Sequence, residues 1–497
     1  MPTQTKTDEK NTITDSEANT KLHIQHPHSS HNDEEKGSVQ TEKGCEERDK
    51  RSGAGKVIVD FPKQVYRKDS ITKTSDKPCI FPSILKSLRE LFANLFYEKP
   101  PTSPYAYRVK PKVMLEGCST VHEHYKRIDD VLQLVKNEKS LKGLEMVGFT
   151  YVFIPCESHP NETCTIEKYG AQTCQCGTRL KHIASENFIT KENRLRYISD
   201  GPMYEVITRL CQEYAQELMM KEATLHWVSV CEVITKGNPI RILVDQDYPV
   251  FAEECHGLSH GSTHHTAKEQ DDISKNGEGV DRSGLETFLI TTGKGKVRAG
   301  IFSRQHLLIS SIESSTALPM VRDAKSRNMN IAILDPNARG DRVGMATYEQ
   351  SMRVLFGHKD KTNTVNIGDV YILAHSASGS QLTRYLQTNG EHILPRIKAI
   401  AFTDSNHSIQ WLKNHSHISS FFESDSTIYV RSSNEYRDED WKSRKPGDVV
   451  NINKDENWLH RFGRTFTIEA GTSDHSLINF TSHHHIWKHF DRLRTKK

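Results

Sequence analysis

The run Val370-Tyr371-Ile372-Leu373-Ala374-His375-Ser376-Ala377-Ser378-Gly379 constrains this chain more than any other stretch. Its apolar start, β-branched at Val370 and Ile372, reads as a strand buried on both faces. It ends abruptly in small residues around one serine, and a helix-like segment, Gln381 to Gln387, follows. Only small neighbours fit a tight strand-to-helix turn, and such a turn lifts a serine hydroxyl clear of its sheet. A serine hydroxyl alone is a poor nucleophile. It needs an imidazole to take its proton and a carboxylate to orient that imidazole. Ser376 is therefore the candidate nucleophile.

Two polar points follow later strand-like runs. Asp404 comes after Ile397 to Thr403, and His475 stands in a glycine-led loop after Arg464 to Ala470. The order serine, acid, histidine is that of the α/β-hydrolases. Asp404 could instead cap the segment that follows it. Glu435 and Asp438, after the next strand, compete as the acid, and a lone histidine is often structural. From Leu285 onward strand and helix signals alternate. Strands are expected at Thr287–Thr291, Met329–Leu334, Val370–Ala374, Ile397–Thr403, Ile428–Val430 and Arg464–Ala470, with helices at Ala317–Asn328 and Thr347–Phe356. Repeated βα units with apolar strands predict an α/β fold, an α/β-hydrolase-like, mostly parallel sheet with helices on both faces. Functional residues of such sheets lie beyond the carboxyl ends of the strands, where Ser376, Asp404 and His475 all fall. The loop Thr292-Gly293-Lys294-Gly295 should supply the oxyanion site, with Gly293 and Gly295 freeing the backbone. The donors would be the N–H groups of Lys294 and Ala377. A phosphate cradle is the other reading of this loop, but it lacks the spacing of a P-loop or a dinucleotide fingerprint.

Composition divides the 497 residues. Hydrophobic content is 35% and mean hydropathy is −0.65, too polar for a chain packed throughout. Residues 1–80 read as a disordered polar tail. Residues 81–139 read as an amphipathic helix and a linker, the helix being Ser83 to Phe96. That helix suits packing on the main domain, a partner groove or a membrane surface. Residues 140–495 form the domain, with a helix at Met203–Lys221, strands at Leu225–Cys231 and Ile240–Val244, and a flexible insertion at 253–284. No apolar run could cross a bilayer, and residues 1–56 hold no apolar signal core. The net charge of +3 does not argue for nucleic acid, and no direct nucleic-acid site is read. All ten cysteines lie at or before Cys255, which suggests a disulfide-free site and a reducing compartment. Cys156, Cys164, Cys174 and Cys176, with His182, could hold zinc, but they lack paired C-x-x-C knuckles and read as thiols. No metal or cofactor is expected.

Five motifs in order resemble the Argonaute-binding (Arb-two type) domain family, which includes a fission-yeast small-RNA silencing factor and an animal cotranscriptional regulator. They are Gly293-Lys294-Gly295-Lys296-Val297-Arg298-Ala299-Gly300, Ile333-Leu334-Asp335-Pro336-Asn337, Ala374-His375-Ser376, Thr403-Asp404-Ser405 with His407, and Ala470-Gly471-Thr472 with His475. The likeness covers about residues 140 to 492. Thr292 stands where the family's loop usually has histidine, and Ser378-Gly379 replaces its Gly-Gly. The resemblance implies an α/β-hydrolase-like fold, an Argonaute or chromatin-silencing partner, and a role in nuclear small-RNA or chromatin-linked silencing, with the cytoplasm as a second location. A serine hydrolase acting on an ester or acyl substrate is the alternative.

Overall fold

In the computed structural model the described residues are 105, 108–156, 176–230, 240–249, 282, 284–357, 367–432 and 444–495. The Ser83–Phe96 helix, the polar tail, nearly all of the 253–284 insertion, Glu435 and Asp438 lie outside them. A hairpin of β1 (Phe149–Ile154) and β2 (Gly177–His182) stands apart from the main sheet. The main sheet has eight strands: β3 (Leu225–Ser229), β4 (Arg241–Asp245), β5 (Thr287–Thr291), β6 (Asn330–Ile333), β7 (Val370–His375), β8 (Ile397–Thr403), β9 (Thr427–Arg431) and β10 (Phe466–Glu469). Their spatial order is β10-β9-β8-β7-β5-β6-β4-β3. From β10 to β6 every pairing is parallel, and β4 and β3 close the far edge antiparallel. The fold is α/β-hydrolase-like, as the alternation of strand and helix signals predicts.

Strands β5, β6 and β7 are buried at every residue, because helices cover both faces. Alternate side chains of β7 serve two cores. Tyr371 and Leu373 enter one, and Val370, Ile372 and Ala374 the other. The first core is covered by helices α1 (Val121–Leu134), α2 (Pro202–Ala223) and α3 (Leu318–Ser326) and by the C-terminal helix His483–Arg494. The second is covered by α4 (Gly344–Phe356) and α5 (Ala377–Ile393). Leu115, Ile128, Val131 and Val135, which precede residue 140, are built into the first core.

The connections set the position of the site. The chain runs from β5 to β6 on one side, then crosses over β5 to β7 and continues outward through β8, β9 and β10. The direction of winding therefore reverses between β5 and β7. Loops leaving the carboxyl ends of those two strands diverge, and the crevice between them is the expected place for a ligand.

Candidate active site

Ser376 occupies that crevice at the end of β7. Its backbone has φ 58° and ψ −123°, a conformation that L residues rarely adopt. Two bonds hold it there. The Ser376 N–H donates to the Thr403 carbonyl (2.9 Å), and the Asn406 N–H donates to the Ser376 carbonyl (3.2 Å). Both partners flank Asp404, so the serine turn and the end of β8 form one unit. Ala377 begins α5, where first-turn N–H groups have no partner within the helix.

Asp404 has φ 42° and is likewise tied, its N–H donating to the Val430 carbonyl (2.8 Å). Its carboxylate accepts from Ser432 Oγ (3.2 Å) and pairs with His475 Nδ1 at 2.6 Å. Burial pushes the Asp404 carboxyl up, but the His475 hydrogen bond and charge outweigh it, and the net shift is below the usual value. With Nδ1 committed to the carboxylate, Nε2 is the nitrogen of His475 left for chemistry. The structure thus brings Asp404 and His475 together. Among the described residues no hydrogen bond joins the Ser376 hydroxyl to His475.

The glycine loop lies against the serine. A Cβ placed on Gly293 would stand 3.0 Å from Ser376 Cβ and 3.3 Å from its Oγ, so any side chain there would crowd the hydroxyl. Asn337, at the end of β6, donates to the carbonyls of Gly293 (2.7 Å) and Val297 (3.0 Å). Because the peptide is planar and trans, fixing the Gly293 carbonyl also fixes the Lys294 N–H on the opposite side. Gly295 needs its positive φ of 124°, which few side chains accept.

His375 and the His306–Asp474 pair, absent from the sequence-based expectations, support this site. His375 is buried, bonds Thr403 Oγ1 through Nδ1 (3.1 Å) and stacks on the His475 ring at 4.6 Å. Burial, with help from His475, drives its pKa down to about 3, so it stays neutral beneath its neighbour. His306 Nε2 pairs with Asp474 at 2.9 Å and His306 Nδ1 with Ser310 Oγ at 2.8 Å, pinning the loop that carries His475. The position of His375 beside the serine was a usable signal. Nothing local marked a partnership between His306 and Asp474, which lie 168 residues apart.

The thiol reading needs one correction. Cys176 is disulfide-bonded, so it is neither a free thiol nor a zinc ligand. Sequence spacing could not separate these fates, because pairing depends on which loops the fold brings close. His182 is held by Ser185 (2.9 Å) and packs on Tyr197, a structural role.

Residues 343–436, which include the serine turn and Asp404, match the model of the Arb2 domain. Over those residues the chain resembles an Arb2-type domain. A curated relative from Dictyostelium discoideum, the "Cotranscriptional regulator ARB2A homolog", is 27% identical, the match covering 27% of this chain and 44% of that protein. The chain therefore spans less than half the length of that relative. The Arb2 match stops short of His475 and begins after the glycine loop. Among solved structures, an esterase from Pyrobaculum calidifontis aligns at 11% identity and TM-score 0.30, over 59% of this chain and 93% of its own. The esterase LipW from Mycobacterium marinum aligns at 9% and 0.29, over 59% and 90%.

Proposed function

We propose that this protein is a regulator of gene silencing, in which an α/β-hydrolase-like Arb2-type domain serves as an adaptor for an Argonaute or a chromatin-silencing protein in the nucleus. The observation that carries the reading is the Arb2 match across the serine turn, together with a relative named as a cotranscriptional regulator. Immunoprecipitation of the tagged full chain from nuclear extract, probed for Argonaute and for chromatin-silencing components, is expected to recover one of them. Loss of the protein is expected to raise expression of a silenced reporter. If neither class co-purifies and the reporter stays silent, the adaptor reading fails.

A second reading is supported by the Asp404–His475 pair, the Ser376 backbone and the close approach of Gly293. It is a serine hydrolase for an ester or acyl substrate. His475 is the base, Asp404 its orienter, and the N–H groups of Lys294 and Ala377 stabilise the oxyanion. Catalytic hydrogen bonds of empty sites often tighten only when substrate binds. A fluorophosphonate probe should then label the folded protein, and Ser376→Ala should abolish the label. Labelling that survives Ser376→Ala, or none at all on protein of normal stability, removes this reading and leaves the adaptor untouched.

A further inference from the structure

A cleft of about 1200 Å³ opens beside α2, lined also by the loops that leave β5 and β6. Seven of its lining residues are lysine or arginine, and three are glutamate. This excess is local, for the whole chain carries only +3. Two of the three glutamates are in ion pairs, and the third, Glu217, accepts from Ser140 Oγ. Glu205 is shared by Arg304 (2.9 Å) and Lys296 (3.0 Å), and Glu213 pairs with Arg209 (2.8 Å). Arg298 turns to the buried Asp335 at 2.7 Å. Arg241, Arg342 and Lys139 are exposed, and among the described residues none of them has an ion pair. Arg304 Nε is buried and lacks a hydrogen-bond partner.

Unpaired cations around one cavity repel each other while it is empty, and a buried guanidinium N–H without an acceptor costs desolvation energy. A single carboxylate bridges two cations at most, as Glu205 does with Arg304 and Lys296. A chain of phosphates presents several anionic oxygens at once, which suits arginine forks spread along a cleft. The volume lies at the upper end of small-molecule sites, large enough for a nucleotide. The net charge of +3 does not by itself argue for a long nucleic acid. We propose that this cleft binds a nucleotide-sized polyphosphate through its phosphate chain, with Arg241, Arg342 and Arg304 as the principal contacts. The site shares Gly295 and Lys296 with the glycine loop whose Gly293 abuts Ser376, but the inference does not depend on any chemistry at Ser376.

The test is titration calorimetry of the full chain with inorganic tripolyphosphate and with ATP. Both are expected to bind at about 50 mM salt and to weaken steeply by about 200 mM, as phosphate contacts do. Arg241→Glu combined with Arg342→Glu should weaken binding by about tenfold or more, the order expected for lost charge-assisted hydrogen bonds, without lowering the melting temperature. Lys413→Glu, on another exposed surface, should leave it unchanged. Tighter binding of ATP than of tripolyphosphate would add a base contact to the same site. Failure of both probes to bind folded protein, or equal affinity in the charge-reversed variant, overturns the proposal. So does a single-stranded oligonucleotide that binds where tripolyphosphate does not, since the cleft would then belong to a polymer.

Discussion

Ser378 and Gly379 show how little a motif says about which small residue is needed. The usual turn prefers glycine at the first position, yet Ser378 is fully buried there without conflict. Its hydroxyl lies 2.7 Å from the His375 carbonyl and 3.1 Å from that of Thr291, so the extra polar atom is satisfied. Gly379 has no such latitude. A Cβ there would overlap Ser405 Oγ and lie 2.8 Å from Ser405 Cβ, in the contact between α5 and the end of β8. We expect Gly379→Ala to destabilise the protein by about 2 kcal/mol in urea unfolding, the usual scale of overpacking. Ser378→Gly should cost about 1 kcal/mol, one hydrogen bond. Equal midpoints for the two variants would refute the packing argument. The same logic reaches back to the sequence: small residues around Ser376 were legible, but the identity of the tightest one was not, because Ser405 arrives from another strand.

At the scale of elements, the glycine loop is held by β6 as much as by β5. Asn337 ties its carbonyls, and the Arg298–Asp335 pair closes its far end against a carboxylate that is almost wholly buried. Burial raises the Asp335 carboxyl above its usual range, and Arg298 opposes that rise. Arg298→Met should therefore cost about 3 kcal/mol near neutral pH, the scale of a broken buried pair. The sign with pH is fixed. The variant's folded-state Asp335 is pushed further up, so the native state takes the proton first. Its stability deficit should shrink as pH falls toward 3.8, the ordinary carboxyl value. Chemical denaturation of both proteins at several pH values checks this, and a deficit that widens on acidification would contradict it. Leu115, Ile128 and Val131 teach a related lesson. Helical spacing could identify α1 as a helix, but only its burial against α2 shows that the core takes in residues before 140, and we propose that the folded domain starts near Leu115.

For the whole molecule, acid should be the weak flank. His375 and His407 are buried, and desolvation lowers each to about 3. The unfolded chain binds those protons near 6.5, so stability should fall as pH drops below 6.5 and keep falling until about 3. Each histidine contributes a slope of about 1.4 kcal/mol per pH unit over that window. Asp404 adds a further loss below 3.8, because its folded value is depressed and its stabilisation disappears as it protonates. Urea midpoints between pH 7 and 5 should therefore decline, and His375→Gln should flatten the decline by roughly the slope of one histidine. An unchanged slope in that variant would place the acid sensitivity elsewhere.

Taken alone, the sequence determined the eight strands of the main sheet (but not the β1–β2 hairpin), the helix after the serine, the parallel α/β class and the identity of Ser376, Asp404 and His475 as candidates. Each of these is written in local periodicity or in small residues at a strand end, and local pattern survives without neighbours. Only the tertiary structure decided that His475 meets Asp404, that Asn337 and Arg298 hold the glycine loop, that His306 reaches Asp474, and that unpaired arginines converge on one cleft. Those contacts join residues tens to more than a hundred positions apart, and their distances depend on strand order and on the reversal between β5 and β7. Strand order is a property of the assembled sheet, and no single stretch of chain encodes it.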